Sequence, residues 1–244
     1  MKKCLIISNQ NIYDLINING LINYLSKKYN LLYLIINITN FIIAEKIFIN
    51  IPNLILICEN SSENIIKMKD IEILKLNICD NSQVVLINDF SIDYFKIFYE
   101  NIKLKYELKY TYEYLERDFE EEDKFFKKIV DDYQDGYIFY YNHNKDKKLI
   151  IDDYKLVFNP IYNYYEDDES KKNKWKDIKH NTLFDLLKII ENSDEIHLFD
   201  INLYSFMPFL NLKKVKKKYI YFDNILIKNY HKNLKDFTFI YYNN

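Results

Sequence analysis

The chain has 244 residues, with 34 Lys and Arg against 36 Asp and Glu for a formal net charge of -2, and is 49% hydrophobic and 29% charged. A chain of this length can bury a core without metal or disulfide staples, and this balance is that of an ordinary globular protein. Near-neutral charge with a single arginine, Arg117, argues against a nucleic-acid-binding role.

Two glycines and three prolines leave little of the usual turn punctuation. The excess of Ile, Asn, Lys, Tyr and Phe looks like AT-rich coding bias, so turns are read from Asn and Asp, which cap helices and tolerate left-handed backbone. Cys4, Cys58 and Cys79 are odd in number, widely spaced and set in or beside apolar runs. They read as reduced thiols of a cytoplasmic protein. The apolar run after MKK is too short for a signal peptide, and no window reaches the roughly 20 apolar residues of a membrane span.

In chain order, the first 80 residues alternate apolar runs with amphipathic stretches: CLIIS, then Leu15 to Lys28, LLYLII, Phe41 to Phe48, LILIC, Ser61 to Met68, and IEILKL. That alternation predicts βαβ units and a parallel sheet, whose strands are apolar on both faces because helices cover both. Ser91 to Tyr114 turns aromatic and charged. A helix follows from Asp118 to Asp132, its first turn FEEED suited to the positive end of a helix dipole. The domain boundary is placed here, giving an N-terminal unit over 1–115 and a C-terminal unit over 116–244.

The second unit starts with the strand YIFYY at 137–141, followed by LII at 149–151 and KLVF at 155–158. Tyr162 to His180 reads as a polar surface loop, with Trp175 folding back onto the body. Thr182 is the expected N-cap of a helix over LFDLLKIIEN. EIHLF follows as a strand, Asn202 to Leu210 as a short helix, in which Pro208 is tolerated only in the early turns, and KYIYF at 218–222 as the next strand.

Several candidate motifs carry chemistry, each beside a plainer reading. The turn after strand one leads through NIYDLINING, where a Rossmann unit presents backbone N–H groups to a ligand. GxGxxG is missing and Tyr13 stands where a phosphate loop wants glycine, so a dinucleotide site is not expected; Asp14 is equally a helix cap. The sequence contains no D-x-D triplet, and its four histidines lack metal-ligand spacing with one another or with cysteine. No metal site is expected. Arg117 has the planar fork that grips a diphosphate bidentately; it could instead pair with Glu116, Asp118 or Glu120. His197 faces either cleft or core, depending on the phase of its strand.

Taken together, YDLINING at 13–20, FYE at 98–100, ERDFEEED at 116–123, YIFYYNH at 137–143, Asn159-Pro160 and FDLL…NSDEIHLFDINL resemble a family of small GT-B-type glycosyltransferase-like proteins of bacteria and large DNA viruses. The C-terminal half of that family is related to fucosyltransferase-like enzymes, and the resemblance spans about residues 3–223. The first motif is similar to the family's G-D-H-I-x-C-N-G, keeping Asp14, Asn19 and Gly20 with Tyr13 for the glycine. In the strand similar to Y-I-F-V-H-D-D, Tyr141 replaces the histidine and Asn142 the first aspartate. In the segment similar to E-I-H-x-x-D-S-S-F, Glu195, Ile196, His197 and Asp200 agree, while Ile201 and Asn202 replace the serines.

The resemblance implies an α/β protein of two Rossmann-like domains, GT-B-like, with parallel sheets facing a cleft. It implies transfer of a sugar from a nucleotide-sugar donor to a glycan or other acceptor, with no metal and no further cofactor. Arg117, Tyr141, Asn142, His197, Asp200 and Asn202 would be on the donor side. Asn19 and Gly20 would face the acceptor, and Asp14 would be the catalytic base. The replacements at Tyr13, Tyr141 and Ile201 equally suit a GT-fold protein that has lost catalysis and serves in binding or assembly.

Overall fold

A computed structural model describes residues 2–7, 12–58, 71–75, 99–100, 102–130, 136–142, 156–159, 175–177, 182–199, 201–222 and 236–241. Two compact units divide it, Met1–Glu116 and Arg117–Asn244.

In the first unit, strand β1 (Lys3–Ile7) leads to helices α1 (Ile12–Asn17) and α2 (Asn19–Ser26), then β2 (Leu31–Ile36), α3 (Phe41–Ile47), β3 (Leu54–Cys58), β4 (Ile71–Lys75) and the short α4 (Leu108–Thr111). The amphipathic stretch from Leu15 is therefore two helices, parted at Ile18. The sheet order is β3-β2-β1-β4 and each pair is parallel, with Leu5 level with Tyr33 and with Ile73. Leu5, Tyr33, Ile35 and Ile57 form one buried cluster on this sheet. Their apolar alternation explains why the strands are covered on that face.

The second unit runs through α5 (Phe119–Val130), β5 (Tyr137–Tyr141), β6 (Leu156–Asn159), β7 (Trp175–Asp177), α6 (Leu187–Glu191), β8 (Glu195–Leu198), α7 (Ile201–Tyr204), β9 (Lys217–Phe222) and β10 (Thr238–Tyr241). A 3-10 turn over Leu183–Leu186 precedes α6, and Thr182 starts it as expected, its backbone N–H donating to Asp185 Oδ2 at 3.0 Å. All sheet pairings are parallel, in the order β10-β9-β8-β5-β6-β7. Within this unit that is the 3-2-1-4-5-6 order of doubly wound nucleotide-binding sheets.

The helix expected over Asn202 to Leu210 ends at Tyr204, and Pro208 stands instead near the start of a separate 3-10 turn over Met207–Phe209; two strands also depart from the sequence reading. Trp175 belongs to a strand, β7, that continues the sheet beside β6, where the polar character of 162–180 suggested a loop. With three residues it is too short for a period-2 signal to stand out. The second change is β10, an edge strand with no reading from sequence. The helix expected at Ser61 to Met68, the strand at 149–151 and the rest of the 162–180 loop lie outside the described residues.

Gly136 enters β5 with φ +82, a conformation that favours glycine, and a Cβ there would meet Asp194 Oδ2 at 2.0 Å. Among the described residues, no helix is long and apolar enough to cross a membrane.

Candidate functional site

In a doubly wound sheet, a ligand crevice opens at the carboxyl ends of the strands where the chain order reverses. In the second unit that point lies between β5 and β8, the first and fourth strands of the sheet, which are neighbours. Tyr141 ends β5 and Asn142 follows it; Leu198 ends β8 and Phe199 follows it, the Phe199 N–H donating to the Tyr141 carbonyl at 2.8 Å.

Register decides which side chains share a face. Tyr140 is level with His197, and His197 with Tyr219, so these three form a row across β5, β8 and β9. Two residues further along, Asn142, Phe199 and Tyr221 lie on the same face by strand alternation, at the carboxyl edge. His197 stacks on Tyr219 with ring centroids 4.8 Å apart, and Tyr221 on Phe199 at 4.2 Å with planes only 5° apart. Tyr140 meets Phe199 edge-on at 5.5 Å. The opposite face carries Tyr137, Phe139 and Tyr141, with Tyr141 stacked on Phe139 at 6.2 Å and Tyr137 donating its hydroxyl to the Ile189 carbonyl of α6 at 2.6 Å.

Buried polar groups on the carboxyl-edge face bind each other. Asn142, 0% exposed, donates from Nδ2 to the Tyr140 hydroxyl at 2.9 Å. His197, 6% exposed, has Nδ1 2.8 Å from the Tyr221 hydroxyl. Its Nε2 has no hydrogen-bond partner among the described residues, and the Glu195 carboxylate stands 3.7 Å away, too far for one. A carboxylate accepts only, so its field favours the proton on Nε2 and leaves Nδ1 to accept from Tyr221 O–H. Burial pushes the imidazole down to about 4; Glu195 opposes that shift and Lys217 adds to it. His197 is therefore neutral at physiological pH.

Of the expected donor residues, Asn142 and His197 come together on this face, while Tyr141 points to the other. Asn202 lies on α7, directly after the switch point, and its side chain, like Asp200 as a whole, is outside the described residues.

Arg117 departs from expectation. Its Nε donates to Glu122 Oε1 at 3.0 Å, Nη1 to Glu191 Oε1 at 2.6 Å and Nη2 to Glu191 Oε2 at 3.1 Å, with a further bond to Glu122 Oε2. Burial works against the charged form, but the bonds and charges of Glu122 and Glu191 outweigh it and hold the guanidinium above its usual range. The side chain is 6% exposed, and its cation faces the Phe119 ring at 4.8 Å. Glu191 closes α6 at the amino end of β8, the end opposite the carboxyl edge on which the strand-order reversal is read. With its fork filled by two carboxylates, Arg117 is a structural clasp; neither partner is among the acids nearest in sequence that the plainer reading named.

In the first unit, Asp14 is on α1, the helix that follows β1, and its side chain is outside the described residues. Asn19 and Gly20, expected against the acceptor, are both buried in packing. Asn19 Oδ1 accepts from the Tyr114 backbone N–H at 2.9 Å and from Asn23 Nδ2 at 3.0 Å. A Cβ on Gly20 would be 2.2 Å from the Lys109 carbonyl oxygen, so this glycine lets α4 cross α2 at backbone distance. These two residues serve the fold of the unit because their polar and steric capacity is used internally.

The packing of Phe199 against Tyr140 and Tyr221 was not legible in the sequence. The available signal was aromatic alternation in YIFYY, EIHLF and KYIYF, masked by the abundance of tyrosine in the whole chain, 24 residues.

No protein-family model and no curated protein matches the chain. Solved structures do. The chain resembles a glycosyl transferase family 9 protein from Veillonella parvula DSM 2008 at 10% identity and a TM-score of 0.59, covering 99% of this chain and 86% of that one. E. coli heptosyltransferase WaaC with ADP aligns at 11% identity and a TM-score of 0.48 over 91% of this chain and 87% of that one. The same enzyme with ADP-2-deoxy-2-fluoro heptose aligns at 10% identity and 0.47 over 98% and 92%. The α/β architecture of parallel sheets is thus one that this chain shares with the Veillonella glycosyltransferase.

Proposed function

We propose that the protein is a glycosyltransferase that binds a nucleotide-sugar donor at the carboxyl edge of the second sheet and passes the sugar to a hydroxyl acceptor without a metal ion. The observation that carries this reading is the reversal of strand order between β5 and β8, with Asn142 and Phe199 at the strand ends that border it. The fold shared with a glycosyltransferase agrees with it.

In this reading, Asn202 contacts the donor diphosphate, its amide supplying a donor where the related family has serine, and Asp200 shapes the pocket. Asp14 is the general base: its carboxylate accepts the acceptor hydroxyl proton as that oxygen attacks the anomeric carbon and the nucleoside diphosphate leaves. The metal-free route rests on the absence of D-x-D from the sequence. The GT-B arrangement, the kinship with fucosyltransferase-like enzymes and the cytoplasmic location belong to the same proposal.

A second reading, a GT-fold protein without catalysis that serves in binding or assembly, is favoured by one observation. Arg117, the chain's single guanidinium, is spent on Glu122 and Glu191 and offers no fork to a diphosphate. A thermal-shift series with ADP, GDP, UDP and their sugar conjugates separates the two, because a ligand that binds only the folded state raises its stability. The donor reading expects a rise in melting temperature with at least one nucleotide; flat curves at millimolar ligand leave the non-catalytic reading standing.

A further inference from the structure

Four lysines gather at the amino edge of the first sheet. Lys3 starts β1 with Lys2 before it, and Lys27 and Lys28 directly follow α2 on the way into β2. Two bonds join the segments: the Lys2 N–H donates to Asn30 Oδ1 at 3.0 Å, and the Asn30 N–H to the Lys2 carbonyl at 2.9 Å. Asn53 Nδ2 donates to the Ser26 and Tyr29 carbonyls at 2.8 Å each and fixes the end of α2 there. Lys2, Lys27 and Lys28 are exposed and Lys3 is half-buried. In the second unit, Lys124, Lys188, Lys216 and Lys217 each pair with a carboxylate; Lys2, Lys3, Lys27 and Lys28 pair with none. Two of these lie over tyrosine instead. Lys27 Nζ is 4.6 Å from the centre of the Tyr112 ring and Lys28 Nζ 4.5 Å from that of Tyr24, and the two rings meet edge-on at 5.3 Å. Glu113, beside Tyr112 in sequence, has Lys109 as its charged neighbour.

Successive strand residues point to opposite faces, and successive residues in helical backbone lie about 100° apart around the axis. The four ammonium groups therefore diverge. Diverging cations cannot close on one phosphate; they suit a surface that presents many separate negative charges. Lysine is a compact point charge on a long stem, and this edge carries no guanidinium fork of the kind that grips a protein carboxylate. Tyrosine, with an apolar ring and a polar tip, is a residue of the membrane–water interface. We propose that the amino edge of the first sheet, through Lys2, Lys27, Lys28 and the Tyr24–Tyr112 pair, docks on an anionic lipid surface. In open parallel sheets ligands enter at the carboxyl ends of the strands, so docking by the amino edge leaves free the other edge of this unit, beyond which Asp14 lies on α1. The proposal does not depend on the donor-site reading.

The test is co-flotation of the full chain with vesicles of phosphatidylcholine alone, or of phosphatidylcholine with about one third phosphatidylglycerol, at low and at physiological salt. The chain is expected to float with the anionic vesicles only, and less at the higher salt. The double variant Lys27→Gln, Lys28→Gln is expected to partition about 30-fold more weakly, the scale of two lysines at an anionic surface, with an unchanged melting temperature because both side chains are exposed and without ion pairs. Lys27→Arg with Lys28→Arg, which keeps the charge, should stay near wild type, and Lys2→Gln with Lys3→Gln should weaken binding without touching α2. Poly-glutamate at the same concentration of negative charge is expected not to displace the chain from the vesicles. A wild-type chain that floats with neither vesicle, or equally with both, overturns the proposal, as does a Lys27→Gln, Lys28→Gln variant that floats like wild type. Displacement by poly-glutamate also overturns it and assigns the edge to an acidic protein.

Discussion

Arg117 and Glu191, 74 positions apart in sequence, meet through two hydrogen bonds of 2.6 and 3.1 Å and tie the entry of α5 to the end of α6. The same guanidinium holds Glu122, so three buried or nearly buried charges share one node. Glu191 Oε1 also accepts from the Asn211 backbone N–H at 2.7 Å, which brings the segment before β9 to the same point.

Removing the cation leaves two carboxylates without compensation. Arg117→Ala is expected to destabilise the second unit by about 3–5 kcal/mol, the range for breaking a buried pair from one side. Arg117→Lys recovers only part of this, because an ammonium cannot fork to two carboxylates. Denaturant titration measures both, and a triple variant Arg117→Met, Glu122→Gln, Glu191→Gln should lose less than Arg117→Ala alone. The folded fraction of Arg117→Ala should bind nucleotide as wild type does.

Gly20 offers a test in which propensity and packing oppose each other. Alanine is favoured over glycine in a helix by about 1 kcal/mol, yet its Cβ would be 2.2 Å from a backbone oxygen of α4. Backbone cannot yield as a side-chain tip does, so Gly20→Ala should destabilise the first unit by about 2 kcal/mol or more. An unchanged melting temperature would show that the crossing of α2 and α4 is looser than described.

The buried imidazole makes acid stability testable. His197 titrates near 4 in the folded chain against 6.5 for an ordinary histidine, so between those values the unfolded chain binds the extra proton. Its contribution is fully present above about 6.5 and is lost as pH falls toward 4, on the order of 3 kcal/mol. His197→Asn removes the titration, and stability curves of the two proteins should converge as pH drops through that window.

Glu113 has the opposite sign. Burial raises its carboxyl to about 6 from 4.5, with Lys109 partly offsetting the shift. The folded state here prefers the protonated acid, so this group costs stability once pH rises through 6 and nothing below 4.5. Glu113→Gln should stabilise the first unit by about 1–2 kcal/mol at pH 7 and have little effect at pH 4, a difference that melting curves at the two pH values resolve.

Parallel α/β architecture was legible because it is written in local pattern. Runs such as LLYLII and YIFYY are apolar on both faces, and helical stretches between them leave few alternatives to a covered parallel sheet. Strand β7 and edge strand β10 were not legible, since three or four residues carry too little periodicity among so many tyrosines. The candidate site was legible in part: the segments after β5 and β8 were singled out, and His197 and Asn142 with them. Their hydrogen-bond partners were not.

By itself, then, the sequence determined the alternation of strands and helices that makes a parallel α/β chain, β7 and β10 apart, and the chemical identity of each candidate group, because hydrophobic period and residue type are local properties. The tertiary structure alone decided partners: that Arg117 closes on Glu122 and Glu191, that Asn19 and Gly20 are consumed in packing, and that His197 and Asn142 bond the hydroxyls of Tyr221 and Tyr140. The physical reason is that a hydrogen-bonding group is committed by whichever partner the fold brings within about 3 Å, and across neighbouring strands that partner is set by register, which no single segment encodes.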